Sequence, residues 1–466
     1  MSEPWQLSAA ALGRAYRERR LSPLDALESC LARLDAVNPR INAVIAQPDR
    51  AALRAAAAAS AARHARGAPL SPLDGVPLTL KDNLPSADLP TTWGGVRTLD
   101  GTPDELAVAR ARAAGAIAIG KTNVPSFTLE GYTANARFGV TRNPWDLDLT
   151  PGGSSGGAVA GLAAGIAPLA LGTDGGGSIR RPASHCGVVG LKPSIGALPR
   201  EHTLPSLLLD FEVVGPMART VADARLLFDA LRGPHPADRH SLAADAAARA
   251  LTRDPGALRV RYVPTLDDAP VDPAIAASCR RAADRLADLG HDVTEGALGL
   301  DLGFMAAAWP IVGQVGLAAL FEREPAWREG AAPAYRERAE RGARVGAAAL
   351  WQAVEQVERL RRDCARRFES VDVFVTPAAA ALPWPADQAY PPRIAGREVG
   401  PRGHAVFTGW VNAAGLPALA VPAEASPAGL PIGIQLIGGY GADHRLLDLG
   451  AALEAAHPWV ERRPPL

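Results

Sequence analysis

The stretch VPLTLKDN (residues 76–83) decides the fold. Its apolar start is short, lacks the three-and-four spacing of a helix, and ends abruptly in charge, which is how a buried strand reads. The strand VPLTL therefore delivers Lys81 at its carboxyl end, the place where open sheets hold their ligands. Side chains alternate along a strand, so Asp82 is expected on the opposite face from Lys81.

Working outward, the same rhythm repeats. A helix at about 104–114 precedes AIAIG (116–120), and further strands are expected at IAPLALG (166–172), LRVRYVP (258–264), VDVFVTP (371–377), LPALAVP (416–422) and IGIQLIG (432–438). Helices are expected at about 220–231, 272–289, 335–369 and 443–456. Upstream, Ser22-Pro23-Leu24-Asp25 offers an N-cap, a first-turn proline and an acid three residues on, opening a helix to about Val37, and the Ala-rich 50–66 is also helical. Alternating strands and helices make this an α/β chain with a mostly buried sheet. No period of 20 to 50 residues repeats.

Composition narrows the function. Lys+Arg and Asp+Glu are both 49 in 466 residues, a net charge of zero, which removes the electrostatic case for nucleic acid or a membrane surface and leaves small molecules as partners. The N-terminus carries acid and aromatic residues where a signal peptide has a basic start, so it is read as uncleaved. The longest small-apolar run, Ala158 to Leu171, contains Pro168 and is too short for a bilayer span. Cys30, Cys186, Cys279 and Cys364 show no metal-binding spacing, which fits a reducing, cytoplasmic setting and no metal site. The mixed-charge stretch 322–346 leads into an amphipathic helix that covers the sheet, and Trp309, Trp327, Tyr335 and Trp351 near it are open to two readings, pocket lining or the packing that aromatics at helical spacing more often serve, and are left unassigned.

Only three of the 49 cationic side chains are lysine: Lys81, Lys121 and Lys192. Guanidinium is effectively never neutral, whereas a buried ammonium readily becomes an amine base. A lysine kept in so arginine-rich a chain marks places where Arg fails, and Lys81 is the foremost.

Two glycine-dense loops dominate the middle of the chain, PGGSSGG (151–157) and GTDGGGSIRRP (172–182). Successive glycines let backbone N–H groups converge on one point and form an anion-binding concavity. Gly175, Gly176, Gly177 and Ser178 are placed to do so, with the Ser178 hydroxyl beside the hole, a pairing that acyl transfer requires. Neither phosphate-loop pattern fits these residues. Gly152 to Gly156 satisfies G-x-S-x-G, yet the preceding NPWDLDLTP, with two prolines and two aspartates, is not the strand such an elbow needs. His185 alone of nine histidines lies in this stretch and reads as structural.

These motifs together resemble the amidase signature family of serine hydrolases. LKDN (80–83), GGSSGG (152–157), GTDGGGSIRRP (172–182) and GVVGLKPS (187–194) match its pattern, and the likeness runs through NPWDLDLTP (143–151), NAAGLPALAVP (412–422) and GLPIGIQLIG (429–438). The resemblance implies one large α/β domain over 1–466: a twisted mixed sheet covered by helices on both faces, a signature core at about 75–220 and a helical cover at about 300–370. It implies an amidohydrolase acting on linear amides of small molecules through an acyl-enzyme, with no cofactor.

Carried over residue by residue, it makes Ser178 the nucleophile, Ser154 the bridging serine after a cis Gly153–Ser154 peptide, and Lys81 the base. Backbone amides of Gly175, Gly176, Gly177 and Ser178 form the oxyanion hole, Ser155 lends a hydroxyl, and Asp174 and Arg180 hold the loop. Lys121 and Lys192 fall in family motifs with structural hydrogen bonds expected. The family includes the glutamyl-tRNA amidotransferase component that releases ammonia within a complex, and free-standing amidases; a homodimer is compatible with either. Substrate choice is expected from regions such as 126–137 and 300–360.

Overall fold

The computed structural model describes residues 3–251 and 256–466. Among them, eleven strands form one mixed sheet: β1 (Val44–Ala46), β2 (Pro77–Lys81), β3 (Ile117–Thr122), β4 (Leu169–Asp174), β5 (Val189–Lys192), β6 (Val213–Ala218), β7 (Arg259–Tyr262), β8 (Asp292–Glu295), β9 (Val373–Pro377), β10 (Ala418–Pro422) and β11 (Gly433–Gly438). The spatial order is β1-β3-β2-β4-β6-β5-β10-β11-β9-β7-β8. The run β3-β2-β4 is parallel, β9-β7-β8 is parallel, and the pairs between them are antiparallel.

Alternation along the strands builds two cores. Leu169 and Leu171 join Leu78, Leu80, Leu419 and Leu436 beneath the helices Val221–Leu231, Pro273–Asp288 and Asp443–Ala456. Ala170 and Met217 point the other way, onto the helices Gly156–Ala164 and Arg180–Cys186. Every residue of GGAVAGLAA (156–164) is buried, so its small side chains are what let that helix lie flat on the sheet. The resulting single α/β domain, with a mixed sheet between helical layers, is the expected class. The capping box at Ser22 is formed: Asp25 N–H donates to Ser22 Oγ at 3.2 Å and Ser22 N–H to Asp25 Oδ2 at 3.0 Å.

Several boundaries differ from the sequence reading. The expected helix 335–369 is two helices, Pro333–Ala343 and Ala347–Arg367, broken where Gly346 becomes the cap of the second. Pro168 keeps the expected strand 166–172 from starting before Leu169. Strands β1, β5, β6 and β8 carry no clear sequence signal: β6 contains Gly215-Pro216, which reads as a turn, and β8 is an exposed polar edge of sequence DVTE. Among the described residues one helix, Met305–Arg323, is long and apolar enough to cross a membrane. It packs against the helices Pro333–Ala343 and Ala347–Arg367.

Leu171 is fully buried in β4, where the parallel run meets the antiparallel strands. Truncation to Ala removes its contacts and leaves a cavity, and Leu171→Ala is expected to cost about 2–5 kcal/mol, read as a lower urea midpoint with an unchanged slope.

Candidate active site

Because β2 and β4 run parallel with Leu80 opposite Leu171, their carboxyl ends meet at one edge of the sheet. Lys81 and Thr173 are thereby brought side by side. The Lys81 side-chain nitrogen has no solvent exposure and lies 2.8 Å from Ser154 Oγ, 2.9 Å from the Thr173 carbonyl and 2.9 Å from Thr173 Oγ1. No carboxylate is among these partners. Burial lowers its pKa to about 7, against the weaker opposing pull of Glu212 and Asp174.

Asp82 leaves the strand on the other side, as alternation requires, and accepts from Thr92 N–H at 3.0 Å, Thr92 Oγ1 at 2.7 Å and Gly94 N–H at 2.7 Å. Lys121 and Lys192 are also buried but bond structural acceptors. Lys121 reaches the Leu84 carbonyl and Thr91 Oγ1, and Lys192 the Pro193 carbonyl. The three lysines thus share burial, and Lys81 alone faces a serine.

The second glycine loop is folded around one carboxylate. Asp174 Oδ1 accepts from Gly177 N–H at 2.6 Å and Arg180 Nη2 at 2.9 Å; Oδ2 accepts from Ile179 N–H and Arg180 Nε, both at 3.0 Å. Burial alone would raise the Asp174 pKa, but the Arg180 charge and these donors hold it well below the usual carboxylate range. Gly177 has φ of 112°, and a Cβ there would sit 2.3 Å from Thr408 Oγ1, so only glycine fits.

This geometry revises one expectation. The Gly177 N–H is committed to Asp174, so it does not point into the cavity as an oxyanion donor. The amides of Gly175, Gly176 and Ser178 have no protein acceptor among the described residues. Ser155 is expected to lend a supporting hydroxyl. Its hydroxyl donates to the Thr173 carbonyl at 3.3 Å while its N–H donates to the Ser178 carbonyl at 3.1 Å, so it ties the two glycine loops together.

Ser154 is fully buried and follows a cis Gly153–Ser154 peptide. Ser178 is the more accessible of the pair, and among the described residues its hydroxyl has no protein hydrogen-bond partner; it lines a cavity of about 270 Å³. The walls come from Thr128–Gly131, from Trp309, Pro310, Gly313 and Gln314 of the helix Met305–Arg323, and from 401–405. The first two groups lie within the regions expected to choose substrate, while 401–405 gives no sequence signal.

Other functional positions also escape a reading of the sequence. Asn412 Nδ2 donates to the Asp174 carbonyl at 2.7 Å, Thr408 Oγ1 to the Gly176 carbonyl at 2.8 Å, and Arg180 Nη1 to Gln435 Oε1 at 2.9 Å. Of the four aromatics, Trp309 faces the cavity, Trp327 and Tyr335 pack with Phe127, and Trp351 is exposed. His185 bonds the Ala381 carbonyl at 3.1 Å and touches no serine of the site.

Known proteins share this architecture. The family described as Amidase matches residues 25–447. In Chloroflexus aggregans, the A-type component of glutamyl-tRNA(Gln) amidotransferase is 35% identical, over 100% of this chain and 99% of that protein. An acylamidase of Rhodococcus erythropolis is 35% identical, over 98% and 97%. Among solved structures, a 6-aminohexanoate cyclic dimer hydrolase superposes with a TM-score of 0.85 at 31% identity, covering 100% of this chain and 99% of that one.

Removing one member of a buried ion pair leaves the other uncompensated. Arg180→Leu is therefore expected to cost about 3–5 kcal/mol of stability, measured by urea unfolding, through the stranded Asp174 carboxylate.

Proposed function

We propose, on the premise that this chain belongs to the amidase signature family, that it hydrolyses the C–N bond of a small linear carboxylic amide through Ser178, Ser154 and Lys81. The observation that carries the reading is a buried amine, 2.8 Å from Ser154 Oγ and without a carboxylate partner, directly beneath a loop of free amides. With its pKa lowered to about 7, such an amine is neutral in about half of the molecules at pH 7 and increasingly so above it, as a general base must be.

In this reading Ser178 Oγ attacks the amide carbon and its proton passes to Ser154 Oγ, which hands its own to Lys81 Nζ. The carbonyl oxygen, now negative, accepts from the amides of Gly175, Gly176 and Ser178. Each such donor is worth roughly 3 kcal/mol of barrier lowering. The C–N bond then breaks as Lys81 returns the proton through Ser154 to the leaving amine, leaving an ester on Ser178. Water, deprotonated along the same path, releases the acid. Asp174 and Arg180 act as positioning residues for the loop.

A cavity of about 270 Å³ suits a small substrate. The four cysteines, free and buried, support a cytoplasmic setting for the same proposal. Full-length similarity to a component of glutamyl-tRNA(Gln) amidotransferase favours a second reading, in which amide cleavage releases ammonia inside a complex. Release of ammonia or amine by the purified chain from an amide panel supports the free-standing enzyme; release only with added partner proteins supports the second.

Lys81→Ala and Ser178→Ala are each expected to lower kcat by roughly three orders of magnitude or more while the circular dichroism spectrum stays native. Near-native turnover by either would sink the assignment. In the wild type, kcat/KM is expected to rise with pH through about 7, the pKa to which burial lowers Lys81, because the neutral amine accumulates above it.

A further inference from the structure

Resting on the reading of Ser178 as the attacking hydroxyl, we infer that Arg181 is a carboxylate-binding residue, and that the substrates are half-amides of short dicarboxylic acids. Arg181 stands three residues after Ser178, in the first turn of the helix Arg180–Cys186, and lines the same cavity. It is only 5% exposed. Its guanidinium contacts are long ones to backbone carbonyls, 3.4 Å to Gly177 and 3.5 Å to Gly153. No carboxylate pairs with it among the described residues.

The neighbouring buried Arg180 and part-buried Arg200 are treated differently. Arg180 has Asp174, and Arg200 has Glu105 and Glu212. A guanidinium withdrawn from water without an anion is costly, and a planar fork of donors is matched by a carboxylate. Neither acid on the cavity wall fills that role. Glu130 is taken by Arg338 at 3.0 Å and Glu212 by Arg200 at 3.0 Å.

The remaining lining charges have the same sign. Arg341 and Arg402 join Arg181 and Arg338 on the wall, so the cavity presents four arginines against two engaged glutamates. Trp309, the one large aromatic there, is already occupied: Phe211 stacks on it at 5.8 Å and the Arg402 guanidinium lies 4.6 Å from its centroid. An aryl substrate would have to displace those contacts. The free amides of Gly175, Gly176 and Ser178 fix where the reacting carbonyl oxygen sits, and Arg181 packs against Gly177 of that same loop. The second carboxylate of the substrate is therefore a few bonds from the amide.

The test compares malonamate, succinamate and glutaramate with propionamide, butyramide and valeramide, each pair alike in chain length. Wild-type kcat/KM is expected to favour the best half-amide over its neutral counterpart by at least about tenfold. Arg181→Gln should collapse that ratio, chiefly through KM, and Arg181→Lys should restore part of it. An independent readout uses Ser178→Ala, which holds substrate uncleaved: calorimetry should detect half-amide binding that Ser178→Ala/Arg181→Gln lacks. An unchanged ratio in Arg181→Gln, or equal affinity of Ser178→Ala for charged and neutral amides, overturns the inference. The two readings fail separately. Ser178-dependent cleavage of neutral amides with no Arg181-dependent preference removes the carboxylate site alone. Arg181-dependent binding without cleavage of any amide removes the hydrolytic reading alone.

Discussion

The Asp174 carboxylate is the point around which the site is folded. A loop of three consecutive glycines has no preferred shape, and ordering it costs more backbone entropy than ordering any other residue type. Asp174 supplies what the glycines lack. It captures the amides of Gly177 and Ile179 and one edge of the Arg180 guanidinium, through Nε and Nη2, and Asn412 closes the arrangement from the far end of the chain. Once that turn is set, the amides of Gly175, Gly176 and Ser178 are left without a protein acceptor among the described residues, and all three residues line the cavity. The ion pair is thus valuable for the shape it enforces, whatever its net contribution to stability.

A second constraint is desolvation. β2 and β4 end side by side in a region closed to solvent, and the amine of Lys81 is surrounded by hydroxyl and carbonyl oxygens instead of carboxylates. Burial therefore acts on its protonation almost unopposed. The same burial acts on Lys192, whose nitrogen meets only a local carbonyl, so a displaced pKa by itself marks nothing. What distinguishes Lys81 is the serine within hydrogen-bond reach.

Much of this is legible in the sequence because the deciding signals are local. The strand VPLTL, the alternation that separates Lys81 from Asp82, and the glycine loops each depend on neighbours within a few positions. Asn412, Thr408 and Gln435 are not legible, since their roles come from contacts across more than 200 residues that no periodicity encodes. The Gly177 amide misleads for a related reason: a run of glycines shows which N–H groups can turn inward but not which one a nearby carboxylate will claim. β6 is hidden because Gly215-Pro216 reads as a turn, yet Gly215 pairs with Gly172 in mid-sheet. The arginines near the signature segments illustrate the same limit. Arg137 spends its guanidinium on the Thr98 hydroxyl, while Arg181, buried inside the motif, reaches only backbone carbonyls.

The bond from Arg180 to Gln435 spans 255 positions, and those from Thr408 and Asn412 to the loop span more than 230. During synthesis the glycine loop leaves the ribosome long before its clasps exist. Closure of so large a circuit falls late in folding, after the entropy of the intervening chain has been surrendered. A truncated or half-made copy consequently carries both serines and the lysine in sequence but has no organised centre, so chemical competence arrives only with the last two strands.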